Sequence, residues 1–380
     1  MSGPTPAPVS VSPTPAAAID EADVVDVSTV GASGSAPFTE TTVPVAEASV
    51  PAEASNDPLE SQGLDVAIEA DFDARDGDSA IGGDEVQSFT TANGRRYHAY
   101  KEGEYLFPND ESEQDRLDML HHIFKLVLRG NLCQAPIPET IHKALDFGCG
   151  TGMWAIDFAD EHPEATVVGN DLSPIQPSWV PPNLKFVVDD VEAPWAAEEL
   201  STYDYIHGRS MSGSISSWPN LFTQAFQALQ PGGWLEMQEF AVWFQSEEGD
   251  LPADSAIAQW QGYMDTASTL FGKKLNAAGG MAEAMRGVGF GGVVDDVLKV
   301  PIGAWPRNRK MKEQGRWLQA QMLDAIEPIS LAYCTRVLNW DEVKTQVFMA
   351  GVRKEFMNNS THLYVHCHFV YGKKPGSASV

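Results

Sequence analysis

The sequence of 380 residues predicts an α/β fold, an open and mostly parallel sheet with helices on both faces. Three observations carry this. Ala144-Leu145-Asp146-Phe147-Gly148-Cys149-Gly150-Thr151-Gly152 reads as a buried strand entering a glycine turn and then a helix. Thr166-Val167-Val168-Gly169-Asn170-Asp171 reads as a second strand that closes on a carboxylate. Beyond them, short apolar strands alternate with helical stretches, a pattern that gives parallel pairing with right-handed crossovers. A glycine turn and an acid at neighbouring strand ends form the layout of a nucleotide pocket.

In chain order, Ser112 with Asp115 caps a helix whose apolar positions Leu117, Leu120, Ile123, Phe124, Val127 and Leu128 recur at helical spacing until Gly130. After the glycine turn, Trp154, Ala155, Phe158 and Ala159 form the packed face of a helix that stops near His162-Pro163. Strands follow at 166–170, at 184–188 before Asp189-Asp190, and at 203–207. Pro219 starts a helix through Leu229, and Pro231-Gly232-Gly233 turns the chain into a strand at 234–240. A helical stretch at 254–288, a strand at 293–300, more helix at 310–357 and a last strand at 363–371 complete the pattern.

The glycine spacing selects the nucleotide. A dinucleotide turn needs Gly-x-Gly-x-x-Gly, but Met153 stands where the last glycine would be. The turn also begins at Asp146, an anion that repels a diphosphate and welcomes a cation. S-adenosylmethionine matches, with a positive sulfonium and ammonium, no phosphate, and a ribose diol for Asp171. The competing reading of an unliganded glycine turn explains neither the charge nor the downstream acid.

Composition changes near residue 90. Residues 1–90 hold 17 Asp or Glu against a single basic residue, Arg75, so they carry more than half of the net charge of −28. Rich in Pro, Ala and Ser, with three aromatics, this tail cannot bury enough apolar area to offset its ordering entropy and is expected to be disordered. It lacks the basic start and apolar core of a secretory signal. It is either a solubilising leader or a segment bound by a regulatory partner. The expected domain spans 91–376, with helical cap elements at about 97–130, 254–288 and 306–359. No apolar run approaches the roughly 20 residues of a membrane span. Four cysteines without a Cys-x-x-Cys pair suit a reducing, intracellular setting, cytoplasmic or nuclear rather than secreted. The acidity opposes nucleic-acid binding.

Tyr97-His98-Ala99-Tyr100-Lys101-Glu102-Gly103-Glu104-Tyr105, Pro108-Asn109-Asp110-Glu111 and Glu113-Gln114-Asp115-Arg116-Leu117-Asp118 resemble the fungal LaeA-like methyltransferases. So do Trp154-Ala155-Ile156-Asp157-Phe158-Ala159, Asp171-Leu172-Ser173-Pro174-Ile175-Gln176-Pro177, Trp179-Val180-Pro181-Pro182-Asn183 and Gly315-Arg316-Trp317. The resemblance covers about residues 95–375. It implies a class I methyltransferase (Rossmann-like) fold with a seven-stranded sheet, preceded here by a helical segment and interrupted by a helical insert before the last strand. It also implies a link to fungal secondary metabolism. Members divide between enzymes that methylate pathway intermediates and nuclear regulators that work with velvet-type partners. Cys149 is a departure, since many such turns carry a small or hydroxyl residue there, but a packed thiol leaves the turn intact.

By this resemblance, Asp146 and the backbone of Gly148, Cys149 and Gly150 line the methionine portion of the cofactor, and Asp171 takes the ribose hydroxyls. Leu172 and Val191 wall the adenine, and Asp190 accepts from its amine, with Asp189 as competitor because strand alternation turns one of the two away. The backbone from His207 to Arg209 approaches the sulfonium. Methyl transfer needs alignment and exclusion of water more than a dedicated catalytic group. Where a base is needed, His207 is the first candidate, against a plain core histidine; of His121 and His122, at most one faces the pocket. Arg209 holds an acidic substrate or a structural carboxylate. Tyr97, Tyr100 and Tyr105 form a lid or simply pack. His366-Cys367-His368 is read as ordinary edge-strand sequence and not a metal site. An Asn-Pro-Pro-Tyr signature is absent after the strand at 203–207, which removes amino methyltransferases of nucleic acid or glutamine. Three functions remain: a methyltransferase acting on an oxygen or nitrogen of a small molecule, a regulator acting through protein partners, and an oxidoreductase, which the glycine spacing and Asp146 disfavour.

Overall fold

The structure is a computed structural model, and it describes residues 89–92, 94–98 and 106–376. The acidic tail through residue 88, Tyr100 and Tyr105 lie outside the described residues.

A hairpin of β1 (Phe89–Ala92) and β2 (Arg95–His98) precedes α1 (Glu111–Val127). Asp110, not Ser112, caps this helix, accepting from the Glu113 amide at 3.1 Å. Arg95 grips the same carboxylate at 2.5 and 2.9 Å and so fixes the cap from the hairpin. Then follow β3 (Lys143–Phe147), α2 (Met153–Glu161), β4 (Thr166–Asp171), β5 (Leu184–Val188), β6 (Tyr203–Arg209), α3 (Trp218–Ala228) and β7 (Leu229–Phe240). The second half holds β8 (Gln245–Ser246), α4 (Ala256–Phe271), α5 (Met281–Val288), β9 (Gly291–Pro301), α6 (Arg309–Ala332), α7 (Glu342–Phe356) and β10 (Leu363–Lys373).

The sheet runs β5-β4-β3-β6-β7-β10-β9, with the two-residue β8 pairing β10 beyond the end of β7. The first five strands are parallel, and β10 is antiparallel to both neighbours. This is the expected seven-position sheet. The carboxyl ends of β3, β4, β5 and β6 therefore open on one edge, where a ligand crevice belongs.

Four expectations change in detail. Pro231-Gly232-Gly233 is a bulge inside β7 and not a turn before it: pairing with β6 slips there, and the backbone comes so close that a Cβ at Gly233 would press to 3.0 Å from the Asp204 carbonyl. The stretch at 254–288 is two helices, since Gly272 closes α4 in the left-handed region at φ +87°. The stretch at 310–357 breaks after a π turn at Tyr333–Val337, and Asp341 caps α7. Finally, β10 lies between β7 and β9, so His366-Cys367-His368 is interior to the sheet. His368 there meets Asp295 of β9 at 3.0 Å, and Cys367 is buried.

On one side of the sheet, α2 packs Trp154 and Phe158 on Tyr205. On another, α3 and α5 bury Phe222, Met281 and Met285 with Leu235 and Met237 of β7. The largest cluster joins α1, α4, α6 and α7 through Phe124, Trp260, Leu318 and Phe356, set over β10 at Phe369. The apolar area removed from water here, at about 25 cal/mol per Å², is what holds the cap helices to the sheet.

Candidate active site

Asp146, the fourth residue of β3, sits directly across from His207 of β6 in the parallel register. Its carboxylate meets His207 Nδ1 at 2.7 Å, and the His207 ring lies face to face on Trp154 at 3.7 Å between centroids. His207 is 0 % exposed. It therefore sits under the crevice and orients Asp146, which is not the placement expected of a base facing an acceptor.

Past Phe147 the chain turns through Gly148, Gly150 and Gly152, all with positive φ between +57° and +79°. Only glycine adopts this without strain. Gly148 also cannot carry a side chain for a second reason: its Cβ would collide with the sulfur of Met211. Two acceptors from β4 pin the turn. Asp171 takes the Gly150 amide at 2.8 Å and the Ser173 amide at 2.9 Å, and Asn170 Oδ1 takes the Gly148 amide at 3.3 Å. Burial raises the Asp171 carboxyl above the usual range, although these amides pull the other way. Gln176 adds a third tie, donating to the Gly150 carbonyl at 2.7 Å.

The resulting cavity is lined by Asp146, Gly148, Cys149, Gly150, Asp171, Leu172 and Val191, all named from the sequence for the cofactor, and by Arg209, named there for the substrate. Both Asp189 and Asp190 line it as well. Alternation does not separate them, because β5 ends at Val188 and the two acids occupy a turn in which Asp189 caps the Asp190 amide at 2.9 Å. Tyr97 is buried away from this cavity, under the Arg336 guanidinium at 5.1 Å, so it packs rather than forming a lid.

Sequence reasoning missed several lining residues. Trp154 counted only as packing, yet its ring reaches the cavity while it supports His207. Met211 and Ser214 follow β6, and Glu192 pairs with Lys273 at 3.4 Å from the far side. Glu192 was within reach, two residues beyond Asp190. Lys273, after α4, had no local signal.

Arg209 is the cavity's unpaired cation. Among the described residues no carboxylate lies within ion-pair distance of it. Instead its guanidinium donates to His121 Nδ1 at 3.1 Å and stacks over Phe124 at 5.0 Å. Since Nδ1 accepts, the proton is on Nε2, which donates to Asp157 at 3.0 Å. Burial first, and the Arg209 charge second, push the His121 imidazole down to about 4, so it is neutral near pH 7. Burial lowers Arg209 itself to about 10, and it keeps its charge. His122 points elsewhere, edge-on to Trp317.

The donor set suits S-adenosylmethionine. Five carboxylates (Asp146, Asp171, Asp189, Asp190, Glu192) face two cations, one of them already paired, so a diphosphate would meet net repulsion and a sulfonium with an ammonium would be balanced. When bound, the cofactor supplies a methyl carbon made electrophilic by the positive sulfur. Asp146, held by His207, would line the methionine end with the Gly148–Gly150 backbone. Asp171 would offer its remaining lone pairs to the ribose hydroxyls beside the Gly150 and Ser173 amides it accepts. Leu172 and Val191 would give the adenine its apolar walls.

Cys149 belongs to this wall without being a nucleophile. Burial, with Asp171 and Asp146 nearby, holds its thiol well above the ordinary range, so it stays protonated. On the other side of Leu117, Leu120 and Ser210 lies a second cavity, with mostly apolar walls from α1, α6, β7 and β10. Ser210, between the two, has φ +55°, a costly backbone setting at a boundary that both cavities share.

A model of a methyltransferase domain matches residues 106–294. The chain is 41 % identical over 313 residues to methyltransferase pytC of Aspergillus terreus, covering 81 % of this chain and 96 % of that protein. It is 37 % identical over 289 residues to the secondary metabolism regulator LAE1 of Cochliobolus heterostrophus, covering 74 % and 94 %. It is 35 % identical over 295 residues to the protein-methionine methyltransferase laeA of Emericella nidulans, covering 77 % and 78 %. With a crevice built for a cationic nucleoside at the strand ends and relatives of this similarity over most of its length, the chain belongs to the LaeA-like family of S-adenosylmethionine-dependent methyltransferases.

Proposed function

We propose that this protein methylates an oxygen or nitrogen of a small molecule in fungal secondary metabolism. The observation that supports a small acceptor is the second cavity: it shares Leu117, Leu120 and Ser210 with the cofactor crevice, and its wall is mostly apolar, with Glu113, Arg116, Ser212, Glu239 and Gln321 as its other polar residues. In this reading His207 is a positioning residue for Asp146, and Arg209, lacking a carboxylate partner, takes the carboxylate of the cofactor's methionine end. Among the described residues no helix is long and apolar enough to cross a membrane.

A second reading has one specific support. Relatives named as secondary metabolism regulators match over 74 to 77 % of this chain. In that case a protein partner is the acceptor or the effector, and the acidic segment through residue 90 is its docking region. Incubation of the full chain with fungal extract and S-adenosylmethionine labelled at the methyl group separates the two. Label in one organic-soluble product, retained after deletion of residues 1–90, supports the enzyme of small-molecule metabolism. Label confined to protein, or no turnover with loss of partner binding on the same deletion, supports the regulator. No membrane or nucleic-acid partner enters either reading.

A further inference from the structure

Two carboxylates outside the cofactor crevice line the second cavity, Glu113, which is paired with Arg116, and Glu239. Glu239, one residue from the end of β7, is 1 % exposed and lines the cavity. Its Oε1 accepts from the Met211 amide at 2.6 Å, and the Ser212 amide lies 3.4 Å from Oε2. Met211 thus bridges the two cavities, its side chain walling the cofactor crevice and its backbone holding Glu239. Around it stand Phe107, Phe240, Phe244, Leu318, Met322 and Val365, with the Gln321 amide as a further polar group.

Other charges near the cavity leave Glu239 alone in its role. From α1, Arg116 and Glu113 also line it, but they bind each other in a two-point pair at 2.6 and 2.9 Å. From β10, Cys367 is buried behind, and Glu239 contributes to raising its thiol. Among the described residues no cation pairs with Glu239. Contrast Glu236, on the same strand: its carboxylate accepts from Gln134, Ala135, Tyr205 and Gln238 and is saturated in a structural role.

We propose that this cavity receives the methyl acceptor, an apolar ring-bearing small molecule with a hydroxyl or amine, and that the Glu239 carboxylate takes the acceptor's proton. The acceptor oxygen or nitrogen attacks the methyl carbon, and a bond forms between them. The bond from that carbon to sulfur breaks, its electron pair stays on sulfur, and S-adenosylhomocysteine results. The proton released by the acceptor passes to Glu239. Burial pushes this carboxyl up to about 7, partly offset by the Met211 and Ser212 hydrogen bonds, which suits a base working near neutral pH.

The proposal rests on the methyltransferase reading, so binding of S-adenosylhomocysteine to the full chain is measured first; its failure sinks that reading and not only this one. 2-Naphthol then serves as the probe, titrated onto protein saturated with S-adenosylhomocysteine and assayed as acceptor of labelled methyl. The expected results are saturable binding, weakened at least tenfold by Ala325→Leu, at another lining position on α6, or by Met322→Phe, with S-adenosylhomocysteine affinity kept within twofold. Glu239→Gln should bind the probe within threefold of wild type yet transfer methyl at least about 100-fold more slowly. Its rate should rise only where 2-naphthol itself ionises, whereas the wild-type rate rises through pH 7. Absence of probe binding, binding indifferent to both filling variants, or Glu239→Gln turnover within threefold and with the wild-type pH profile would overturn the proposal.

Discussion

The two cavities that meet at Leu117, Leu120 and Ser210 are built by opposite rules. The cofactor crevice is the more polar of the two, lined by five carboxylates, and draws most of its wall from four short segments at the carboxyl ends of strands: Asp146 with 148–151, 170–172, 189–192 and 209–211. The second cavity is apolar and draws its wall from α1, β7, the loop before α5, α6 and β10, segments separated by up to the length of the domain. A ligand shared by a whole family is met by backbone turns and short acidic motifs. A ligand particular to one member is met by cap side chains, which change without disturbing the sheet.

That contrast breaks most sharply at Asp171. Replacing it with Ala removes both the ribose acceptor and the partner of the Gly150 and Ser173 amides, at about 1.5–3 kcal/mol for each charged hydrogen bond. The expected loss of cofactor affinity is 100-fold or more by calorimetry, with a lowered melting temperature. A purely ligand-facing acid would leave the melting temperature untouched. Next comes Gly148→Ala, where φ +62° and the Met211 sulfur both oppose a Cβ. At about 1–2 kcal/mol for the left-handed setting alone, cofactor affinity should fall about tenfold, and adding Met211→Ala should restore only part of it. Full restoration would show that crowding, not backbone, is the cost.

How much of this could be read in advance follows from the same contrast. Strand ends announce themselves through glycine, acid and apolar runs in one short window, so Asp146, Asp171 and Asp190 could be named from the sequence, and all three line the crevice. His207 was legible as a residue of interest but not in its role, since the stacking on Trp154 that buries it depends on α2 docking against β6. Asp189 and Asp190 could not be separated by alternation, because the last ladder residue of a strand cannot be fixed from pattern alone and both acids fall beyond it. Glu239 had a local signal, a second acid three residues after Glu236 in an apolar strand, but nothing nearby told which of the two would be saturated. The helical stretches at 254–288 and 310–357 concealed their breaks for a physical reason as well: Gly272 in the first and the π turn before Asp341 in the second interrupt apolar spacing that continues through them.

The two regions should also titrate with opposite sign. His121, beside the cofactor crevice, has its pKa lowered to about 4, so its contribution to stability is present above the unfolded value near 6.5 and is lost as pH falls toward 4. Glu239, in the acceptor cavity, is raised to about 7, so its contribution is present below the unfolded value near 4.5 and is lost as pH rises through 7. Each effect amounts to at most about 3 kcal/mol. Melting curves of His121→Gln and Glu239→Gln against wild type should therefore converge and diverge in opposite directions between pH 4 and 7. Parallel curves for both variants would contradict the burial of these groups.

The smallest effect is expected at Cys149. As a protonated, packed thiol it should react slowly with disulfide reagents, and Cys149→Ala should hold cofactor affinity within about twofold. Rapid labelling that abolishes turnover would assign it chemistry that its surroundings do not support.

The central claim is that the acid-lined crevice was shaped for a cationic nucleoside. Calorimetric titration of the full chain with S-adenosylmethionine and, separately, with NAD tests it most directly. Saturable binding of the first and none of the second is the predicted result; binding of NAD with no heat from S-adenosylmethionine would contradict it.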